Sequence, residues 1–396
     1  SPSERNELIS RLSDDELKNW TQEIDGLNGA LSFEERQNLF NKLAEGLDGE
    51  QLTRLVKAFD GSPGGRQALG DAVAANASPE AKVAFIKASM GSVDGKYRAM
   101  DGRDGNAETA VIADVLSSLS NDQNAFNDAI TALAKHNPNG LEDIMAVALG
   151  RNYVAVPGTG GVTMFEPSAA LGIINAAAKS NDPQVKALVF EAATKHFNTV
   201  EGTAVDASYT NAITHLLQSA PNALINELQS RTDISGTSLS AYAKEMLQSG
   251  NELELRNLLV QMQQGDNGTG NAYDNFSNPA HARNLGFFAG AIASGINSIT
   301  DDAQAQGDLL KDIFGMGFGV AGTTNPVAGG IATVGNGITN TIINGIIDAV
   351  KNGNMELKQA LFELAIPRNS EGRINMESTG YDAFVASFAA VAELQR

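Results

Sequence analysis

Ser78-Pro79-Glu80-Ala81-Lys82 and, about one hundred residues later, Asp182-Pro183-Gln184-Val185-Lys186 open two apolar segments in the same way. In each, a side chain able to cap a helix stands before a proline at the first helical position. There the missing N–H is no loss, and the fixed φ already suits the helix. Both pentapeptides lead into apolar residues at helical spacing. Working outward, Ala68-Leu69-Gly70 is echoed by Ala170-Leu171-Gly172, and Ile112-Ala113-Asp114-Val115-Leu116 by Ile213-Thr214-His215-Leu216-Leu217. Leu141 to Asn152 aligns loosely with Leu239 to Asn251. The offsets drift by only a few residues, as in a diverged internal duplication running from Gly64 to Gln263. Each copy would hold four or five helices of about 10–15 residues joined by short polar loops. The expected fold is all-α: a multi-helix bundle or short α-solenoid with an internal duplication and one small β-hairpin.

The first sixty residues extend the same grammar. Ser13-Asp14-Asp15-Glu16 and Ser32-Phe33-Glu34-Glu35 fit the capping box, and Asp48-Gly49-Glu50-Gln51 is a variant of it. Behind the caps, Leu17, Trp20 and Ile24, then Leu39, Phe40 and Leu43, then Leu52, Leu55, Val56 and Phe59 recur at helical spacing. Between the two copies, Tyr153-Val154-Ala155-Val156 and Val162-Thr163-Met164-Phe165 flank Pro157-Gly158-Thr159-Gly160-Gly161, the pattern of a hairpin. The expected organisation is therefore capped helices over 1-63, copy 1 over 64-152, a hairpin connector over 153-165 and copy 2 over 166-263. A polar linker over 264-280 and a glycine-rich apolar helical domain over 281-396 complete it.

That last region carries the most unusual feature of the chain: no charged residue occurs between Asn284 and Thr300, or between Ile313 and Ile347. Gly286-Phe287-Phe288-Ala289-Gly290, followed by Ser294-Gly295, sets small residues four apart on one helix face, the spacing of closely approaching helix pairs. Gly315, Gly317, Gly319 and Gly322 precede a break at Thr323-Thr324-Asn325-Pro326, after which Val327 to Val350 resumes as the second arm of a helical hairpin. Asn336, Asn340, Asn344, Thr333, Thr339 and Thr341 dilute that arm too far for a constitutive transmembrane anchor. Two readings remain: a buried soluble core, or a hairpin that meets a membrane only under acidic conditions. The residues for such contact are Phe287, Phe288, Ile292, Phe314, Phe318, Ile331, Ile342 and Ile343.

Composition narrows the partners. Lys and Arg number 28 against 47 Asp and Glu, a net charge of -19, which repels phosphate backbones and anionic lipid at neutral pH. Nucleic acid is thus not expected as a partner; a protein, or a membrane surface once carboxylates are protonated, is. With no Cys, disulfides, thiolate metal sites and thiol nucleophiles are excluded. A Cys-free, acidic, Gly- and Asn-rich chain suits bacterial export, with a cytoplasmic location as the alternative.

No catalytic motif emerges. Gly315-Met316-Gly317-Phe318-Gly319 lacks the preceding strand of a nucleotide-binding loop and the Lys-Ser or Lys-Thr of a P-loop. His136, His196, His215 and His281 show no metal-ligand spacing and read as lone residues on surface helices. Asp94, Asp101, Asp104 and Glu108 cluster with Asn106 and are candidate calcium ligands, although their order departs from the EF-hand; a solvated acidic loop accounts for them as well. No cofactor is otherwise expected.

Capped units such as Leu47-Asp48-Gly49-Glu50-Gln51-Leu52 and Ser78-Pro79-Glu80-Ala81-Lys82, followed by a glycine-rich apolar segment, resemble the helical delivery or pre-toxin regions of bacterial secreted toxins and effectors. The resemblance implies a non-enzymatic module of a secreted virulence protein, acting in delivery, partner binding or conditional membrane contact. It also implies that any toxic enzyme domain lies outside these residues, since Glu356 to Arg396 is too short for one. An enzyme with an acidic site assembled from distant helices, and a purely structural scaffold, are the alternatives.

Overall fold

The computed structural model describes residues 1–26, 30–59, 63–90, 105–149, 152–154, 162–164, 168–195, 207–231, 235–266, 270–314, 340–369 and 371–392. These residues are overwhelmingly α-helical, and the chain divides into two compact units. Unit 1 comprises Ser1–Ala193 with Asp206–Ala212; unit 2 comprises Thr194–Val205 with Ile213–Arg396.

Unit 1 opens with α1 (Pro2–Arg11), α2 (Asp14–Gly26), α3 (Phe33–Gly46) and α4 (Gly49–Ala58). Local chemistry sets where these begin. Ser32 accepts from the Glu35 amide at 3.2 Å while the Glu35 carboxylate accepts from the Ser32 amide at 2.9 Å, so two amides that a helix start leaves unpaired are both satisfied. Ser13 and Glu16 repeat the arrangement, and Asp48 accepts from the Gln51 amide at 2.9 Å. Leu17, Phe40, Leu52, Leu55, Val56 and Phe59 then turn into the core.

The unit continues through α5 (Pro63–Asn76), α6 (Pro79–Ser89), α7 (Gly105–Ser117), α8 (Gln123–His136), α9 (Gly140–Ala148), α10 (Ser168–Lys179) and α11 (Pro183–Thr194). Helices pack mainly on the element two places along: α1 on α3, α2 on α4, α3 on α5, α4 on α6, α5 on α7, α6 on α8 and α7 on α9. Between α9 and α10, β1 (Asn152–Val154) and β2 (Val162–Met164) pair antiparallel with Asn152 opposite Met164, Tyr153 opposite Thr163 and Val154 opposite Val162. α12 (Ala207–Gln218) contributes residues to both units.

Two glycines let helices come close to α7. A Cβ at Gly70 on α5 would overlap Val111 Cγ1 and lie 3.0 Å from Phe85 Cζ, and one at Gly172 on α10 would overlap Ser117 Oγ. Because the obstacle at Gly70 is mainly a side chain, its removal should restore the fit. Gly70→Ala alone is expected to lower stability by about 1–3 kcal/mol, the usual range for overpacking. Adding Val111→Ala should recover more than the sum of the single effects allows, read as a coupling in a double-mutant cycle by urea unfolding. Additive losses would show that Val111 is not the obstacle.

Unit 2 contains α13 (Pro221–Ser230), α14 (Ser235–Gln248), α15 (Glu252–Gln264), α16 (Ala272–Phe276), α17 (Pro279–Ile299), α18 (Ala303–Phe314), α19 (Asn340–Lys351), α20 (Leu357–Ala365) and α21 (Thr379–Ala392). Its organising element is α17, against which α13, α14, α15, α16, α18, α20 and α21 all pack. α18 and α19 pair beside it and are tied by the Lys351–Asp308 ion pair at 2.5 Å.

Candidate functional site

α17 starts at Asn278, whose side chain accepts from the amides of Ala280 at 3.0 Å and His281 at 3.4 Å, with Pro279 in the first turn. Every residue from Asn284 to Ile296 is buried. A helix apolar all round has no face to offer water and belongs in the centre of its domain. Small residues make the close packing possible. A Cβ at Gly286 would overlap the Phe384 carbonyl oxygen and lie 2.5 Å from Ser387 Oγ; one at Gly290 would lie 2.8 Å from the Phe388 carbonyl oxygen. Both glycines thus meet the backbone of α21, while Gly295 lies against Ala243 and Ser240 of α14.

Beside the α17–α21 contact stands an aromatic cluster. The Phe384 ring centroid lies 5.3 Å from that of Phe362, 5.7 Å from Phe276 and 6.0 Å from Phe388, and Tyr381 meets Phe362 edge-on at 6.1 Å. Polar groups set the register. Buried Asn284 donates to the Asn222 carbonyl at 3.1 Å and accepts from Gln229 Nε2 at 2.7 Å; Ser387 Oγ donates to the Arg283 carbonyl at 2.8 Å. A buried amide satisfied in this way favours one docking over its neighbours, since a slipped helix would strand it.

The residues singled out for membrane contact divide by position. Phe287, Phe288 and Ile292 lie buried on α17, Phe314 is buried at the end of α18, and Ile343 is buried on α19. Ile342, next to Ile343, is 40% exposed. Phe318 and Ile331 lie outside the described residues. So do Asp94, Asp101 and Asp104; Glu108 falls within α7, but its side chain is not among those described. Among the described residues no group of three or more His, Cys, Asp or Glu side chains is placed to hold a metal ion, and no helix is long and apolar enough to cross a membrane.

Several ionisable groups depart from their expected surroundings. His136 and His215 are exposed on their helices, but His281 is not a surface residue: its ring is partly buried, and burial lowers its pKa. The Gln263 and Met262 carbonyls at the end of α15 and the Asp266 carboxylate act in the opposite direction. Its position just ahead of the uncharged run that begins at Asn284 was the available sign that it would be drawn inward. On unit 1, Asp71 of α5 and Asp114 of α7 are raised by burial, and the Asp71 charge raises Asp114 further. Spacing along the chain could not select this pair among so many acids; the packing of α5 on α7 does. Both carboxyls stay open to water. Lys186 of α11 is buried, which lowers its pKa to about 8, and it donates to the Ala178 carbonyl at 2.7 Å.

Compared with protein-family models, curated proteins and solved structures, the chain matches none. The functional reading therefore rests on the geometry of α17 and its surroundings.

Proposed function

We propose that this chain is a non-enzymatic helical module of a secreted bacterial toxin or effector that keeps an apolar helical element sequestered in water and brings it to a membrane on acidification. The observation that carries the reading is the burial of α17 from Asn284 to Ile296, in a region whose sequence is uncharged. Leaving the helix in water would expose a run of apolar surface, whereas a bilayer interface accepts it.

The charge balance supplies the trigger. A net charge of -19 opposes approach to anionic lipid at neutral pH, and protonation of carboxylates removes that barrier. Asp71, Asp114 and Glu245, all raised by burial, take up protons before ordinary carboxylates do. Glu16, Glu35 and Asp48 are lowered mainly by hydrogen bonds at helix starts. A lowered carboxylate stabilises the fold above its unfolded pKa, and the contribution disappears only as pH falls through the folded value. The caps thus outlast the loss of surface charge, and the module reaches the membrane still helical.

The test is dye release from vesicles containing anionic lipid, followed from pH 7 down to about pH 4.5. No release is expected at neutrality and progressive release on acidification. A chain that neither binds nor leaks the vesicles at any pH in that range would sink the proposal.

The architecture is read further as a short α-solenoid formed by duplication. In its support, α5 to α9 and α10 to α14 correspond one to one, with the longer connection after the second helix in both. Pro79 and Pro183 open the second helix of each, and Lys82 and Lys186 behind them are both lowered by burial. Gly70 and Gly172 hold equivalent positions under close neighbours. The step of two in the packing order of unit 1 is that of stacked helical pairs. β1 and β2 would then be a hairpin connector between the copies.

A further inference from the structure

The entry of α17 into the core is bound by polar groups as well as apolar packing. Asp266, just beyond α15, accepts from both the backbone amide and the Nδ2 of Asn222 at 2.9 Å, and the Asn222 carbonyl in turn accepts from Asn284 of α17. Gln263 donates to the Ala365 carbonyl at 2.8 Å, while its own carbonyl accepts from Asn275 at 3.2 Å. His281 sits in this net with Nε2 buried and, among the described residues, without a hydrogen-bond partner. A neutral imidazole tolerates that position, because one ring nitrogen is only an acceptor; an imidazolium would place a second N–H donor and a charge there.

We propose that His281, facing Asp266 and the carbonyl end of α15, is an acid-sensitive latch that holds the first turn of α17 in place at neutral pH and loosens it on protonation. The inference rests on reading α17 as the element that meets the membrane, and it assigns the regulation of that element to one residue.

The surroundings set the sign. From α15 and the residues after it, the Met262 and Gln263 carbonyls and the Asp266 carboxylate favour the proton; burial opposes it and is the largest effect. Glu227 of α13 is half-buried and Asp274 of α16 exposed, and Arg283 on α17 itself donates to Asn226 of α13. The folded pKa therefore lies below the ordinary histidine value. As pH falls through about 6.5 the unfolded chain takes up this proton while the folded chain resists it, so stability drops, and continues to drop until the folded pKa is reached.

Hydrogen–deuterium exchange of the full chain at pH 7.0 and 5.5, corrected for intrinsic rates and read on peptides of α17, tests the latch without lipid. Its failure is thus separable from a failure of vesicle leakage. Wild type should lose protection in α17 several-fold on acidification, His281→Gln markedly less, and His136→Gln, altered at an exposed histidine, as much as wild type. Equal losses in wild type and His281→Gln, or no loss in wild type, overturn the proposal. If His281→Gln does not fold, Asp266→Asn decides. It keeps an oxygen for Asn222 but removes the charge that favours the imidazolium, so it should lose more protection than wild type, and an equal loss overturns the latch.

Discussion

Gly286→Ala should destabilise unit 2 by about 3 kcal/mol, at the upper end of what overpacking a core produces. The added Cβ would collide with the Phe384 carbonyl oxygen, and Ser387 Oγ lies 2.5 Å from it on the same side. Backbone cannot rotate away as a side chain can, so α17 and α21 must separate along their contact. Separation would also stretch the Ser387 hydrogen bond to the Arg283 carbonyl, now 2.8 Å. Unlike the clash at Gly70, this one has no side chain to shorten in compensation. Gly345 on α19 is the control, because nothing lies within 4 Å of a Cβ built there. Gly345→Ala should be neutral or stabilising by up to about 1 kcal/mol, since alanine is the better helix former. Urea unfolding followed by circular dichroism compares the two; equal stability of both variants would mean that α17 and α21 do not approach this closely. If release of α17 is the activity, Gly286→Ala should also leak vesicles at a higher pH than wild type.

Phe384→Ala should lower stability by about 3–5 kcal/mol, the range for emptying a buried phenylalanine site. Phe384 is fully buried and its ring has Phe276, Phe362 and Phe388 as neighbours within 6.0 Å. Truncation leaves a void among these rings and removes aromatic contacts, edge-on with Phe362, tilted with Phe276 and stacked with Phe388, worth about 0.5–1.5 kcal/mol each beyond the buried area. Its neighbour on the same helix, Val385, is 36% exposed. Val385→Ala should change stability by no more than about 0.5 kcal/mol. Loss of near-ultraviolet dichroism in Phe384→Ala alone would accompany the predicted loss of packing; comparable effects of the two substitutions would place the cluster elsewhere.

The helical class was readable because its determinants are local. A Ser, Asp or Asn before a helix satisfies amides two or three residues ahead, so Ser13, Ser32, Asp48 and Ser78 announce their helices without reference to the rest of the chain. The uncharged run through α17 likewise announced a helix without a solvent face. The small-residue spacing at Gly286 and Gly290 indicated a closely approaching partner but could not name α21, which lies roughly a hundred residues away. Sequence alone also treated Ile342 and Ile343 alike, although one faces water and the other the core.

By itself, then, the sequence determined an all-α chain, the starts of many of its helices, its acidic charge and its uncharged glycine-rich region. Each of these depends on composition or on interactions within a turn or two of helix. Tertiary structure alone decided that, among the described residues, seven helices pack on α17, that Asp71 faces Asp114, and that His281 is drawn from the surface against the end of α15. Those outcomes depend on which of many similar Ala- and Leu-rich faces pack together, and that choice is made by summed shape and burial over distant segments that no local pattern encodes.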